Sequence, residues 1–267
     1  MNPVDRLLPS RIREHLGAGR FGHRIYYYPE TDSTNRVALA LARTGEASGT
    51  VVVADHQTRG RGRLDHEWSS RLGEDLLFTV VLRPDSPPPT LLPITLVFSA
   101  AVSAVLSATL GVEVSVEWPN DMVTRGGKIG GILAEGSVTT PEGSFAVVGT
   151  GLNVNSRPDS FSDELRARVA TCRTESGRTW DRAELLAVVL GAMEREYERF
   201  LVDGFAGMRY KYENKLVFLG RRVSFLHGGR QVVATVEGVN ADGALRVLKD
   251  GTDERMALYS EEVSPVA

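Results

Sequence analysis

The segment from Arg59 to Arg63 alternates three arginines with two glycines, and it offers the clearest chemistry in the chain. Guanidinium groups present forked donors that match phosphate and carboxylate oxygens. Glycines leave backbone amides uncovered and tolerate positive φ angles. Because the segment closely follows a predicted buried strand, the pattern predicts an anion-binding loop. A solvated charged turn or an RNA-contacting segment is the alternative interpretation.

A second group of polar residues lies at Trp118-Pro119-Asn120-Asp121, and Lys128 comes seven residues later. The side-chain oxygens of Asn120 and Asp121 suit a hydrated magnesium ion and its phosphates. Lys128 is the first lysine in the chain and stands at the start of a predicted strand, where its ammonium group can be aimed. The alternative is a plain β-turn, in which Asn and Asp are common.

A third group, Asp32-Ser33-Thr34-Asn35, directly precedes or begins a predicted helix. Its hydroxyl and amide groups either cap the helix or bind a polar ligand at the amide-rich end. Taken alone, this pattern favours capping.

Several common signatures are missing from the sequence. The segment 149–154 has Val154 where a dinucleotide-binding fingerprint needs its third glycine. The five histidines form no metal-binding pair, and there is no Gly-x-Ser-x-Gly nucleophile elbow. The one cysteine, Cys172, permits no internal disulfide, which favours a reducing compartment such as the cytoplasm.

The elements that must position these residues alternate between strands and helices, as the hydrophobic periodicity indicates. The predicted strands are 25–28, 51–54, 76–82, 112–118, 128–135 and 145–148, and the predicted helices are 34–43, 165–169 and 184–201. From Gly220 the apolar period changes to two, and turn-forming residues separate short strands. This tail predicts a small β-barrel attached to an α/β body.

The composition is that of a globular protein, with 267 residues, 42% hydrophobic and 24% charged. The formal net charge of −3 gives no global electrostatic case for nucleic-acid binding. The uncharged stretch 86–112 contains a proline run at 87–89, interpreted as a surface loop, and then Thr or Ser at every fourth position. Such spacing predicts a buried helix rather than a membrane span. The N-terminus lacks the apolar region of a secretory signal.

In this order, the motifs resemble those of the biotin–protein ligases, enzymes that join biotin to a lysine of a carrier protein. The resemblance spans 32–155. The motifs that carry it are Ser33-Thr34-Asn35, Gln57 with Gly60-Arg61-Gly62-Arg63, Trp68, Trp118-Pro119-Asn120-Asp121, 128–133 and 149–155. The resemblance implies an α/β catalytic domain with a mixed sheet and flanking helices, here 1–218, and a small Src-homology-3-like C-terminal β-barrel, here 219–267.

The resemblance also implies a two-step reaction in which biotin and ATP form biotinyl-5′-AMP, and biotin then passes to a lysine of a biotin carboxyl carrier protein. The resemblance implies that ATP binds as its Mg²⁺ complex, and the motifs do not identify the protein ligands of this ion. The residues matching the family's catalytic positions are Lys128, Arg61 and Arg63. Those matching biotin-binding positions are Ser33, Thr34, Asn35, Gln57, Arg61, Gly62, Arg63, Trp68, Lys128, Gly131 and Leu133. Those matching ATP-binding positions are Arg61, Arg63, Asn120, Asp121, Lys128 and Asn153.

The chain departs from the family pattern in two places. Glu117 stands where family members usually carry a lysine, and strand alternation predicts that it points away from Trp118 into solvent. The segment after Arg63, Leu64-Asp65-His66-Glu67, is less basic than usual. Because only about 30 residues precede Ser33, we expect no DNA-binding domain and no repressor function. We further expect no membrane partner, a cytoplasmic location, and a monomer or weak homodimer.

Two other classes of function stay open at this point. A lipoate or octanoate transferase could share the fold, although the octanoyl branch uses a cysteine nucleophile that is missing near these motifs. A non-catalytic module, such as a biotin sensor or an RNA-contacting protein, would carry the same residues without chemistry. Pyrophosphate release on adding biotin and ATP separates the enzyme from the sensor.

Overall fold

The computed structural model describes residues 6–84, 91–137 and 144–266. Its larger sheet has seven strands in the order β1-β2-β3-β7-β6-β5-β4. They are β1 (Ile25–Tyr28), β2 (Val51–Ala54), β3 (Leu76–Leu82), β4 (Ser115–Glu117), β5 (Asp121–Thr124), β6 (Gly127–Ser137) and β7 (Phe145–Leu152). Only β1 and β2 pair in parallel, so the sheet is mixed, as predicted.

The described helices cover both faces of this sheet. They are α1 (Pro9–His15), α2 (Thr34–Arg43), α3 (Leu92–Leu110), α4 (Asp163–Arg166), α5 (Cys172–Ser176) and α6 (Arg182–Glu213). One face is covered by α2, whose buried Ala38 and Ala42 pack against Val52 and Val147. The other face packs against the larger core that includes α3 and α6. Every residue of β3 is buried, as its continuous apolar run predicts.

Helix α3 confirms the predicted buried helix. Ser99 and Ser103 are fully buried, and the hydroxyl of Ser99 donates to the carbonyl of Thr95 one turn earlier. In the described part of the chain, α3 is the one helix long and apolar enough to cross a membrane, and 67% of its apolar window is buried inside the fold. It packs against α6 and ends at Gly111, whose φ of 72° closes the helix. The proline run at 87–89 lies outside the described residues.

Helix α6 is longer than the predicted 184–201. Asp181 caps it by accepting from the amides of Ala183 and Glu184. Gly204 interrupts it with φ 63° and ψ 176°, a conformation that glycine adopts without strain. The sequence periodicity ends near this break, and the helical segment beyond Gly204 was therefore missed.

Two parts of the body differ from the sequence prediction near the motifs. The strand predicted at 112–118 is the shorter β4, and after a turn at 118–120 the chain forms β5, which begins at Asp121 and pairs with both β4 and β6. The predicted helix 165–169 is instead the short helix α4 and an extended segment. In that segment Val169 pairs in parallel with Lys128.

The C-terminal part forms an antiparallel five-stranded sheet, with strand order β11-β10-β9-β8-β12. Its strands are β8 (Arg222–His227), β9 (Arg230–Val239), β10 (Leu245–Lys249), β11 (Arg255–Leu258) and β12 (Ser264–Pro265). The predicted short strands are therefore confirmed. In the described residues β11 and β12 are the two edges of an open sheet, and no closed barrel is found. The indole of Trp118 donates to the carbonyl of Gly243 and so joins this sheet to the body.

Candidate active site

A cavity of about 450 Å³ brings together almost all of the residues that the motifs single out. It lies between the glycine–arginine loop, the α2 N-terminus, the strands β5 to β7 and the last residues of the C-terminal sheet. The predicted site residues that line it are Ser33, Thr34, Asn35, Gln57, Arg61, Gly62, Arg63, Trp68, Asn120, Asp121, Lys128, Gly131 and Leu133.

One end of the cavity is a network of neutral polar groups at the α2 N-terminus. The side-chain oxygen of Gln57 accepts from the amide of Thr34 at 2.7 Å and from its hydroxyl at 3.0 Å. Gln57 therefore accepts the hydrogen bond of a free backbone amide at the N-terminus of α2, whereas the Ser33 side chain makes no capping bond. Asn35 donates to the carbonyl of Leu133 and to Glu135, so its orientation is fixed from the neighbouring strand.

Thr79 on β3 completes this network, and the sequence motifs do not single it out. Its hydroxyl is fully buried and lies 2.7 Å from the side-chain oxygen of Asn35 and 2.8 Å from the hydroxyl of Thr34. A polar side chain in a strand otherwise made of apolar residues is the signal that identifies it.

Glycines form the floor of the cavity, where β6 and β7 pair and Gly131 lies opposite Gly151. A Cβ atom on Gly149 would overlap the side chain of Asn35. A Cβ atom on Gly151 would lie 2.5 Å from the Trp68 ring. The glycines therefore let Trp68 and the Asn35 network approach the sheet closely.

Two buried polar atoms in the cavity wall have no hydrogen-bond partner among the described residues. They are the indole nitrogen of Trp68 and the hydroxyl of Thr150. Buried donors of this kind are rarely left unsatisfied in a complete complex, so they fit a site that receives a polar ligand.

The other end of the cavity is charged. The ammonium nitrogen of Lys128 lies 2.5 Å from a carboxylate oxygen of Asp121 and 5.6 Å from the centre of the Trp68 ring. Arg61 forms an ion pair with Glu135, the same carboxylate that accepts from Asn35. The Glu135 side chain therefore links the glycine–arginine loop to the polar network.

Arg63 connects this loop to the C-terminal sheet. Its guanidinium donates to the carbonyl of Ser260 at 3.2 Å and lies 5.9 Å from the centre of the Trp118 ring. Burial lowers the pKa of Arg63 from its ordinary value. The loop is also held by its backbone, because the amide of Trp68 donates to the carbonyl of Gly60.

The prediction that Glu117 points into solvent is wrong. Glu117 and Trp118 both line the cavity, because β4 ends at Glu117 and strand alternation does not continue past that residue. Burial and the nearby charge of Asp121 raise the pKa of Glu117, while Lys128 and Arg168 act in the opposite direction.

Asn153 does not line the cavity wall, unlike the other residues that match ATP-binding positions. Its side chain is buried and donates to the carbonyls of Lys128 and Ala170, each at 3.2 Å. The backbone amide of Asn153 donates to the carbonyl of Ile129. The structure thus places Asn153 behind Lys128, where it holds the start of β6.

A buried ion pair anchors the segment that leads into Gln57. A carboxylate oxygen of Asp55 lies 2.9 Å from the guanidinium of Arg182, and both side chains are almost fully buried. The Tyr27 hydroxyl donates to Asp55 at 2.6 Å. Burial and this carboxylate raise the pKa of Tyr27 to about 12. Arg182 also donates to the carbonyl of Asp75, so the pair connects β2, β3 and α6.

Cys172 lies outside the cavity wall and is fully buried. Burial raises the pKa of its thiol to about 12, which keeps it protonated at neutral pH. A thiolate nucleophile is therefore not supplied by Cys172. Among the described residues, no cluster of three or more His, Cys, Asp or Glu side chains forms a metal centre.

Two family models match the chain. The model of the Biotin/lipoate A/B protein ligase family matches residues 27–153, and that of the biotin protein ligase C-terminal domain matches 218–264. The biotin–[acetyl-CoA-carboxylase] ligase of Mycobacterium tuberculosis is 32% identical in an alignment 257 positions long that covers 92% of each chain. The chain belongs to the biotin protein ligase family.

Further relatives and solved structures agree with this assignment. The bifunctional ligase/repressor BirA of Bacillus spizizenii is 33% identical, over 97% of this chain and 79% of that one. The biotin protein ligase of Aquifex aeolicus, solved in complex with biotin and ATP, superposes with a TM-score of 0.78 at 28% identity. That match covers 91% of this chain and 100% of the Aquifex chain. The motif-based resemblance is thereby confirmed, and the chain is a ligase of this family.

Proposed function

We propose that this biotin protein ligase carries out both steps of its reaction in the 450 Å³ cavity. The observation that carries the proposal is the arrangement within that cavity. A neutral polar network at Thr34, Asn35 and Gln57 lies at one end, and Lys128 beside Asp121 lies at the other. Biotin has matching ends, a neutral ureido ring and a carboxylate, and the glycine floor leaves room for the chain that joins them.

In this proposal, the ureido ring of biotin binds at the polar end, to Ser33, Thr34, Asn35 and Gln57. Neutral donors and acceptors suit a neutral ureido group, because they exchange hydrogen bonds without burying an unpaired charge. Trp68 and Leu133 supply apolar walls, and Gly131 and Gly62 leave space for the ligand. The orientation of Asn35 through Glu135 and Leu133 supports this role.

The carboxylate of biotin attacks the α-phosphorus of ATP, and the bond from this phosphorus to the leaving pyrophosphate breaks. Negative charge develops on the phosphoryl oxygens, so preorganised cations accelerate the step. We assign this task to Lys128, Arg61 and Arg63. The ammonium group of Lys128 has three donors, so it can keep its bond to Asp121 while it binds a substrate oxygen.

The cations are preorganised by partners within the protein. Asp121 holds Lys128, Glu135 holds Arg61, and the carbonyl of Ser260 holds Arg63. These contacts reduce the reorganisation that is needed when the substrates bind. We assign Asn153 a positioning role, because its bonds fix the backbone of Lys128 rather than reach the substrate.

The residues at the charged end fit Mg²⁺ bound together with ATP. Mg²⁺ commonly uses one or two carboxylates plus substrate phosphates, and Asp121 with the neighbouring amide oxygen of Asn120 offers such a set. When bound, the ion neutralises charge on the polyphosphate.

In the second step, a lysine amine attacks the acyl carbon of biotinyl-5′-AMP and releases AMP. The relative from Mycobacterium tuberculosis is named as a ligase for acetyl-CoA carboxylase. We therefore propose a biotin carboxyl carrier protein as the acceptor, in the cytoplasm. The glycine–arginine loop covers the cavity and keeps water from the reactive mixed anhydride. The oligomeric state, a monomer or a weak homodimer, remains a prediction, and so does the absence of DNA binding.

We propose a domain boundary after Phe218. The C-terminal family model begins there, and β8 follows at Arg222. The Src-homology-3-like barrel also stays a prediction, since it requires the edge strands β11 and β12 to approach each other.

The proposed function is tested by pyrophosphate release. The chain is expected to release pyrophosphate from ATP when biotin is added, and to release far less with octanoate at the same concentration. Release with octanoate but not with biotin would instead support a lipoate or octanoate ligase. Tight biotin binding without any release would support a sensor.

A further inference from the structure

Arg168 is a cation of the cavity wall that none of the motifs contains. Its side chain is exposed and, within the ranges that the structure describes, makes no hydrogen bond or ion pair. The other strong cations of the wall already have partners, namely Asp121 for Lys128, Glu135 for Arg61 and the Ser260 carbonyl for Arg63. Arg168 is therefore the guanidinium of this wall whose N–H donors, within the described residues, are all available to an incoming anion.

The backbone of Arg168 is held in register with that of Lys128. The amide of Lys128 donates to the carbonyl of Arg168 at 2.8 Å, and the amide of Ala170 donates to the carbonyl of Lys128 at 2.9 Å. Gly127 has a φ of 127°, and a Cβ atom there would overlap the Arg168 carbonyl. The two cations thus start from one fixed backbone frame at the same end of the cavity.

This end of the cavity lies toward the β4–β5 edge of the sheet, whereas the polar network lies over its central strands. Arg168 acts electrostatically on Glu117, which pairs with Asp121 in the β4–β5 hairpin at the edge of the sheet. The polar network lies on α2, which packs on β3 and β7. An anion bound by Arg168 therefore extends from Lys128 away from the proposed biotin ring site.

We propose that Arg168 binds the polyphosphate of ATP, the part that leaves as pyrophosphate. This inference rests on the proposed function and adds a residue to it. As the bond from the α-phosphorus to the bridging oxygen breaks, its electron pair leaves with pyrophosphate, and Arg168 offsets the charge that accumulates there. Glu117 lies beside this path and repels the polyphosphate, so Arg168 compensates for a carboxylate at this position.

The test compares Arg168→Gln with Arg166→Gln, in which the lost arginine is exposed and paired with Asp163 outside the cavity wall. Arg168→Gln is expected to weaken binding of Mg-ATP about tenfold by calorimetry, the size expected for one partly exposed charged hydrogen bond. The KM for ATP should rise by a similar factor, and the KM for biotin should change less than twofold. Arg166→Gln should match the parent chain, and Arg168→Lys should recover part of the binding.

Two further measurements distinguish the loss of the Arg168 charge from a general disturbance of the fold. Transfer of biotin from preformed biotinyl-5′-AMP should be unchanged in Arg168→Gln, because the polyphosphate has already left. Adding Glu117→Gln to Arg168→Gln should restore part of the ATP affinity, because the remaining repulsion is removed. Unchanged Mg-ATP binding by Arg168→Gln overturns the inference, and so does an equal loss for ATP and biotin.

The calorimetric result does not depend on turnover. If the parent chain binds Mg-ATP but releases no pyrophosphate with biotin, the proposed function fails, and the effect of Arg168→Gln on ATP binding still decides this inference.

Discussion

At the scale of single residues, the charged end of the cavity depends on one lysine among many arginines. Lys128 has its backbone held by Arg168, Ala170 and Asn153, and its ammonium group held by Asp121. A compact ammonium group can contact a carboxylate and a phosphate at once, whereas a planar guanidinium group needs more room. We therefore expect Lys128 to be the most sensitive position in the site.

Lys128→Ala is expected to reduce the rate of biotinyl-5′-AMP formation by a factor on the order of 10²–10³, the usual cost of removing one aimed group from a developing oxyanion. Lys128→Arg should recover little of this rate. Biotin-dependent exchange of labelled pyrophosphate into ATP measures the effect. Lys249→Ala is the control, because Lys249 pairs with Glu254 on the C-terminal sheet. Near-normal exchange in Lys128→Ala would refute the assignment.

Cys172 gives a second prediction at this scale. Since burial raises its pKa to about 12, the thiol should not react with iodoacetamide at pH 8, and activity should survive the treatment. The same reagent should label the chain in denaturant. Loss of activity that follows labelling of the native protein would show a functional thiol.

At the scale of elements, the glycine floor on β6 and β7 decides how closely α2 and Trp68 approach the sheet. Gly149→Ala is expected to raise the KM for biotin at least about tenfold, because the added methyl group displaces Asn35 and breaks charged and neutral hydrogen bonds of the network. Gly17→Ala is the matched control, since its Cβ atom would meet nothing within 4 Å. Steady-state kinetics measure both variants, and an equal KM in the two would contradict the proposed biotin end.

The bounds of the helices and strands show how much of the fold can be predicted from the sequence alone. Strands β1, β2 and β3 and helix α2 have the predicted bounds, because each has a strong apolar pattern and a clear flanking turn. Strand β5 was missed because its pairing with β4 and β6 is a long-range contact that its own sequence does not encode. The cavity residue Arg168 was missed because only the fold brings it to the motifs. Thr79, which lies behind the cavity wall on Thr34 and Asn35, left one sequence signal, its polar side chain in an otherwise apolar strand.

At the scale of the whole molecule, the site is held together by a buried ion pair and by a hydrogen bond to the C-terminal sheet. Arg182 on α6 pairs with Asp55 after β2, and Arg63 reaches the C-terminal sheet through the carbonyl of Ser260. The cavity is therefore built from parts of the chain that are far apart in sequence. Its shape depends on the stability of the complete fold.

Arg182→Met is expected to lower the free energy of unfolding by about 3–5 kcal/mol, because it leaves the Asp55 carboxylate buried without its cation. Arg20→Met, which removes an exposed pair with Glu198, should cost at most about 1 kcal/mol. Urea denaturation measures both variants. Adding Asp55→Asn to Arg182→Met should recover part of the loss, and equal destabilisation by the two single variants would contradict the role of the buried pair.

The central claim is that one cavity makes and holds biotinyl-5′-AMP before the carrier protein arrives. Its most direct test is a single-turnover experiment without carrier, in which the chain is mixed with biotin and Mg-ATP and the bound species are identified by native mass spectrometry. We predict one equivalent of non-covalent biotinyl-5′-AMP and one of pyrophosphate, and release of AMP when a biotin carboxyl carrier domain is then added. A covalent biotinyl adduct on the enzyme, or no adenylate at all, would contradict the account.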